Sequence, residues 1–105
     1  MVRTKEPLSP LTEATFYILI SLTEPLHGYG VLQKVEEMSH GRVELGAGTL
    51  YGALKNLVEH GMIQEVGKNT GRRKNYQVTP NGRELIEEEL KRLEELLKNG
   101  RKMLE

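Results

Sequence analysis

The spacing of the apolar residues changes along the chain, and this change limits the fold more than any other feature. Up to Gly61, apolar side chains recur at steps of three and four, which is the period of a helix. The segments with this period are 11–23, 28–40 and 47–60. They end near Pro25, Gly41 and Gly61, residues that interrupt or cap helices. The pattern predicts three short helices.

Two local signals refine these segments. Ser9 and Pro10 suit the N-cap and the first turn of the first helix. Between the second and third segments, Val43 and Leu45 alternate with polar residues, as in a very short strand. We therefore expect the first helix to begin beside Pro10 and a short strand to connect helices two and three.

After Gly61 the period falls to two. The stretches "MIQEVG" and "NYQVT" alternate, and the polar stretch "KNTGRRK" separates them. Two short strands around such a loop are typical of a β-hairpin. Tyr76 and Val78 share one face of the second strand, so we expect them to anchor the hairpin to the core.

The last segment, residues 80–105, predicts one long helix. Thr79 suits its N-cap and Pro80 its first turn. Its apolar residues repeat every seven positions, at steps of 4, 3, 4 and 7 with an interruption at Gly100: Ile86, Leu90, Leu93, Leu97 and Leu104. One small domain cannot cover this seam, so we expect it to be a dimer interface. The alternative is packing within its own domain.

The order of these elements indicates the fold class. Three short helices, a hairpin and a long helix make a mainly α protein that contains a winged helix-turn-helix. The third helix would enter the major groove of DNA, and the hairpin would be the wing. We expect residues 1–79 to form the DNA-binding domain and residues 80–105 a dimerisation helix packed on it.

Charge is unevenly distributed, although the formal net charge is zero. Residues 66–83 contain five cations and no acid, whereas residues 84–95 contain six Glu and two cations. A neutral total therefore does not argue against a nucleic-acid partner, because the local field decides binding.

Several classes of site are not expected. The 105 residues include no Cys and no Asp, and the three histidines, His27, His40 and His60, are far apart in sequence. We therefore expect no metal, no cofactor and no catalytic site. Residues 87–89, a run of Glu, are interpreted as a solvated helix face. No apolar run is long enough for a membrane span and no signal peptide is seen, so we expect a cytoplasmic protein without a membrane partner.

Three stretches together resemble the PadR family of bacterial and archaeal transcription regulators: "HGYGVLQKVEE", "GAGTLYGALKNLVEHGMI" and "GRRKNYQVTPNGRELIEEE". The resemblance covers about residues 10 to 95, with a single terminal helix as in the short members of the family. It implies a dimeric DNA-binding repressor that a small aromatic or drug-like effector releases from DNA. It also implies an effector pocket between the first and last helices of the dimer, for which Phe16, Tyr17, Leu93 and Leu97 are the candidate lining residues.

The candidate DNA contacts lie in two places. On the wing they are Arg72, Arg73 and Lys74, because a wing reaches phosphates or the minor groove. On the third helix they are Gly48, Thr49, Tyr51, Lys55 and Asn56. Backbone N–H groups at the start of that helix suit a phosphate, and Asn and Lys suit base edges or phosphate.

Other interpretations of these residues remain open. The wing cations would also fit a solvated loop, Thr49 an ordinary helix start, and Tyr51 either packing or a phosphate contact. The expected function is sequence-specific DNA binding at an inverted repeat, as a homodimer and a repressor. The alternative is a winged-helix module that binds a protein partner without DNA. Hydrolase or metalloenzyme activity is a third, weaker possibility.

Overall fold

A computed structural model of the protein describes residues 8–67 and 74–105. Its elements in chain order are α1 (Glu13–Ser21), β1 (Leu26–His27), α2 (Gly28–Ser39), α3 (Ala47–Glu59), β2 (Ile63–Val66), β3 (Asn75–Val78) and α4 (Pro80–Leu104). The predicted class, a mainly helical winged helix-turn-helix with a long terminal helix, is confirmed. Among the described residues, no helix has both the length and the apolar character that crossing a bilayer requires.

The first helix begins later than predicted. Its N-cap is Thr12, whose side-chain oxygen accepts a hydrogen bond from the Thr15 N–H at 3.1 Å. Ser9 is not the cap, because its hydroxyl donates to a carboxylate oxygen of Glu89, 80 positions away in sequence. Ser9 and Leu11 are therefore held by α4 and not by the first turn of α1.

The described part of the sheet has three antiparallel strands in the order β1, β3, β2. The hairpin of β2 and β3 is as predicted, and Ile63 lies opposite Val78 at its base. The predicted strand at Val43 and Leu45 is wrong. The two residues belong to the connection between α2 and α3, where both are half-buried against the core. The third strand is instead β1, which pairs Leu26 with Tyr76.

The core lies between the three short helices, the sheet and the first turns of α4. Its members are apolar residues with almost no exposed surface: Leu11, Ile18, Leu19, Leu22, Val31, Val35, Leu50, Leu54, Leu57, Ile63, Tyr76, Val78, Leu85 and Ile86. Tyr76 and Val78 anchor the hairpin to this core, as the alternation in the sequence predicted.

The ends of α2 and α3 use the same type of cap. At the end of α3, the Met62 N–H donates to the Leu57 carbonyl and the Gly61 N–H to that of Val58, both at 2.9 Å. Gly61 has φ of 75°, the left-handed conformation that such a cap needs. At the end of α2 the equivalent residue is His40, with φ of 54°, and the predicted stop, Gly41, follows it with φ of 77° and donates its N–H to the Glu36 carbonyl at 2.8 Å.

The long helix α4 begins as predicted, with Thr79 as its N-cap accepting from the Gly82 N–H at 3.1 Å. Its first turns are buried, and from Leu90 onward its apolar side chains are exposed. The helix continues through Gly100 to Leu104, so the interruption of the seam does not break it.

The interpretation of residues 87–89 as a solvated face is wrong for Glu89. Its side chain is 1% exposed, although Glu87 and Glu88 are exposed. Its two oxygens accept from the Leu11 N–H at 2.8 Å, the Ser9 hydroxyl at 3.1 Å, and Nε and Nη2 of Arg92 at 3.2 and 2.9 Å. Hydrogen bonds from Arg92 lower the pKa of Glu89, and they outweigh the opposing effect of burial.

Candidate nucleic-acid interface

Helix α3 has one buried and one exposed face. Leu50, Leu54 and Leu57 are buried at steps of four and three, which fixes the rotation of the helix on the core. The five residues of this helix that are predicted to contact DNA are all exposed: Gly48, Thr49, Tyr51, Lys55 and Asn56. The helix therefore presents a polar surface that contains hydroxyl, amide and ammonium groups.

The first backbone N–H groups of α3 have no acceptor within the helix, as at the start of any α-helix. Its N-cap is Gly46, which has no side chain that could accept from the first turn. The positive end of the helix dipole lies at the same place. These N–H groups and Thr49 have the geometry expected for a phosphate contact.

Tyr51 both packs and remains exposed. Its side chain is 54% exposed. At the same time its ring lies over Gly28, the first residue of α2, so that a Cβ at Gly28 would be only 2.7 Å from the Tyr51 hydroxyl oxygen. The absence of a side chain at Gly28 thus allows Tyr51 to lie across the start of α2.

The base of the hairpin contains a charged pair. Arg72 and Arg73 lie outside the described residues, and Lys74 is the predicted wing cation that is described. Its Nζ is 3.7 Å from Oε2 of Glu65 on the neighbouring strand, and the two side chains are 59% and 41% exposed. Because Glu65 lies opposite Tyr76, the pair lies diagonally across the hairpin.

The phenol of Tyr76 marks the place where the hairpin and α3 meet. Its pKa is raised, first because burial disfavours the phenolate and then because of the negative charge of Glu65. Lys74 lowers the pKa of Tyr76, and Tyr51 raises it by the smallest of these effects. Lys74 and Tyr51, from different elements, therefore lie near the same side chain.

A second exposed ion pair joins α1 to the connection that follows α2. Nη1 of Arg42 is 2.6 Å from Oε1 and 2.5 Å from Oε2 of Glu13. The hydrogen bond with Glu13 raises the pKa of Arg42. Sequence reasoning did not identify the pairing of Arg42 with Glu13, the pairing of Glu65 with Lys74, or the contact of Gly28 with Tyr51. Of these residues, only Glu65 could have been placed from the sequence, because the alternation in β2 assigns its side chain to one face of the strand.

The α4 residues that were predicted to form a dimer interface differ in burial. Ile86 is only 9% exposed and packs in the core of its own chain. Leu90, Leu93, Leu97 and Leu104 are between 40% and 90% exposed. The apolar surface that α4 offers to a partner therefore begins at Leu90.

The residues predicted for an effector pocket lie on two helices, α1 and α4. Phe16 and Tyr17 are half-buried against the core, whereas Leu93 and Leu97 are exposed on α4. Two surface cavities, of about 990 and about 330 Å³, have other linings. The larger is an open groove along α2 and residues 41–45, and the smaller lies between Leu8, Met62 and Leu85.

Within residues 8–67 and 74–105, no three carboxylate or imidazole side chains are placed so that they could hold a metal ion.

Comparison with known proteins shows similarity to transcription regulators. A transcriptional regulator from Clostridium thermocellum has the same fold, with a TM-score of 0.76, 22% identity, and coverage of 88% of this chain and 90% of that one. A PadR family transcriptional regulator from Eggerthella lenta gives a TM-score of 0.71, 25% identity, and coverage of 86% and 76%.

A relative from Streptomyces fradiae is 38% identical over 78 residues, and is described as an uncharacterized 37.1 kDa protein in transposon TN4556. The match covers 73% of this chain but only 22% of that protein's length. Residues 17–88 match the Transcriptional regulator PadR-like family, whose members and solved relatives are regulators of transcription and not enzymes. Because this match includes more than half of the residues and the fold agrees, the chain belongs to the PadR-like family of transcriptional regulators.

Proposed function

We propose that the protein binds a specific DNA sequence as a homodimer, represses transcription there and is released by a small-molecule effector. The observation that carries the DNA-binding part is the meeting of two exposed polar surfaces. The outer face of α3, with Tyr51, and the base of the hairpin, with Lys74, both lie near Tyr76. A groove-reading helix beside a cationic wing is the arrangement that winged helices use on duplex DNA.

Within this proposal, α3 enters the major groove and Lys55 and Asn56 lie at the base edges. Gly48, Thr49 and Tyr51 contact phosphates. Lys74 contacts phosphate from the wing, and Arg72 and Arg73, the next cations before it in sequence, continue this contact toward the backbone or minor groove. A chromosomal DNA partner places the activity in the cytoplasm.

The dimer part of the proposal rests on α4. Leu90, Leu93, Leu97 and Leu104 form an exposed seam, and a second copy of the same helix is the simplest partner that covers a self-complementary stripe. Ile86 is left out of this interface because it is buried in its own chain. A two-fold dimer would read two half-sites about 34 Å apart, and hence an inverted repeat.

The effector part rests on the family and on the position of two aromatic residues. Phe16 and Tyr17 are half-buried on α1, and α1 contacts α4. In a dimer, the partner's α4 would close the space beside these rings and beside Leu93 and Leu97. An aromatic ligand there would act on the angle between the two DNA-binding domains.

Fluorescence anisotropy with labelled duplex DNA tests the DNA-binding function. We expect binding to any duplex to weaken steeply between about 50 and about 200 mM salt, because Lys and Arg release counterions from phosphates. Replacing Lys55 or Asn56 with Ala should reduce the preference for a selected operator over random duplex. No binding at the lower salt concentration would favour the protein-interaction module instead.

A further inference from the structure

We propose that Glu65 holds back DNA binding by pairing with Lys74, and thereby sets the affinity and salt dependence of the wing. This inference rests on the proposed DNA-binding function. In the free protein, Lys74 Nζ lies 3.7 Å from Oε2 of Glu65. A DNA phosphate that takes Lys74 as a partner must therefore displace a carboxylate that already neutralises it.

The position of the pair makes this competition specific to the wing. Glu65 and Lys74 lie on the same face of the hairpin, because Glu65 is opposite Tyr76 and Lys74 is two residues before Tyr76. Ile63 and Val78 share this face closer to the core and are buried. The alternation that places apolar residues in the core thus places the charged pair beyond the edge of the core, toward α3.

The electrostatics of Tyr76 agree with this placement. Glu65, Lys74 and Tyr51 all act on its phenol, so the pair and Tyr51 of α3 lie within electrostatic range of the same side chain. A phosphate bound there by Lys74 would meet the negative charge of Glu65 at short range. The phosphate and the carboxylate repel each other across one ammonium group, so a bound phosphate weakens the pairing of Glu65 with Lys74.

The expected size of the effect follows from the exposure of the pair. Exposed ion pairs of this kind change an equilibrium by a factor of up to about five. We therefore expect release of Lys74 to strengthen binding about threefold for each wing, and roughly tenfold for a dimer with two wings. Because Glu65→Gln removes a negative charge close to the bound phosphate, it should also increase the salt slope, by up to about one for each wing.

The test is a double-mutant cycle measured with labelled random duplex DNA at about 50 and about 200 mM salt. Glu65→Gln should bind more tightly and show the steeper salt slope. Lys74→Ala should bind more weakly, and Glu65→Gln should add less than about twofold in the Lys74→Ala background. Both side chains are exposed, and thermal unfolding followed by circular dichroism checks that the variants remain folded.

The matched control is Glu87→Gln, which removes the same charge from an exposed position on α4. It should change affinity by less than about twofold. An equal gain from Glu65→Gln with and without Lys74 would overturn the inference, because Glu65 would then act only by general repulsion. Weaker binding by Glu65→Gln would also overturn it, because Glu65 would then contact DNA itself.

A separate outcome identifies a failure of the proposed function. If the wild-type protein shows no salt-sensitive binding to duplex DNA, both the proposed function and this inference fall. If the wild type binds and Glu65→Gln binds with the same affinity and slope, only the inference falls.

Discussion

The carboxylate of Glu89 joins the segment before α1 to the long helix α4. It receives hydrogen bonds from Leu11, Ser9 and Arg92 while its side chain is 1% exposed. A buried carboxylate is stable only when its oxygens are satisfied by donors and a counter-charge. Glu89 therefore contributes to stability only as the anion.

This leads to a prediction about acid stability. The pKa of Glu89 is lowered in the folded protein, so its contribution is present above the ordinary glutamate pKa and is lost as the pH falls toward the lowered value. Glu89→Gln should reduce the free energy of unfolding by about 1.5–3 kcal/mol at pH 7 and by less in acid. Urea unfolding at several pH values measures both differences.

The control is Glu87→Gln on the exposed face of the same helix, which should change stability by less than about 0.5 kcal/mol. A loss for Glu89→Gln that does not depend on pH would contradict the assigned ion pair. It would mean that the side chain acts through its shape and neutral hydrogen bonds alone.

Gly28 shows a different role for a single residue, because it makes room for Tyr51. A Cβ at this position would lie 2.7 Å from the Tyr51 hydroxyl oxygen and 3.0 Å from Cζ. Gly28→Ala should therefore displace the Tyr51 ring and cost up to about 1 kcal/mol in stability, because the displaced atoms are the far end of an exposed side chain. In a Tyr51→Ala background the cost should disappear, because the ring is gone. Chemical denaturation of the four proteins measures the coupling, and additive effects would refute the contact.

At the scale of elements, the start of α4 is held close to the end of α3 and the start of β2. The Thr79 hydroxyl donates to the Gly61 carbonyl at 2.6 Å, and the Thr79 N–H donates to the Met62 carbonyl at 2.9 Å. Gly82, in the first turn of α4, lies against the same Met62 carbonyl and the Val78 side chain. The close approach requires that Gly82 have no side chain.

Two glycines in the same helix therefore give opposite predictions. Gly82→Ala should destabilise the protein by about 2–3 kcal/mol or more, because the methyl group would overlap a backbone carbonyl that already accepts a hydrogen bond. Gly100→Ala meets nothing within 4 Å and should stabilise it by about 0.5–1 kcal/mol, because alanine favours the helix. Thermal unfolding compares the two. A stabilising Gly82→Ala would show that α4 does not pack as described.

The elements that could be predicted from the sequence are those specified by local patterns. The bounds of α2, α3 and α4 depend on apolar period and on caps such as Thr79 and Gly61, which act within a few residues. The strand β1 has only two residues, too few for a period, and it exists because Tyr76 and Asn75 of β3 pair with it. Local sequence could not specify that pairing.

The same reasoning explains what could be predicted of the candidate interface. Helical period placed Thr49, Tyr51, Lys55 and Asn56 on the exposed face of α3. It could not show that Gly28 accommodates Tyr51, because that contact joins two helices. The burial of Glu89 was missed for a related reason, since a helical pattern does not show which other segment covers a given face.

At the scale of the whole molecule, α4 divides into a part that belongs to the domain and a part that is exposed. Its buried residues are Gly82, Leu85, Ile86 and Glu89, whereas its apolar residues from Leu90 to Leu104 are exposed. Substitutions of the exposed apolar residues beyond Leu90 should therefore leave the core intact. This separation allows dimerisation to be tested without unfolding the protein.

The prediction is that Leu93→Glu together with Leu97→Glu converts the proposed dimer into a folded monomer. Each buried leucine contributes about 1.5–3 kcal/mol, so replacing two on each protomer should weaken association more than about a hundredfold. Asn99→Glu is the control for a single Leu→Glu change, because it adds one negative charge at an exposed position of α4 outside the seam. Sedimentation equilibrium gives the mass, and circular dichroism confirms the helices.

Binding to an inverted repeat should fall with the loss of the dimer, since one protomer can occupy only one half-site. A dimer that persists in the double variant would place the interface elsewhere on the molecule.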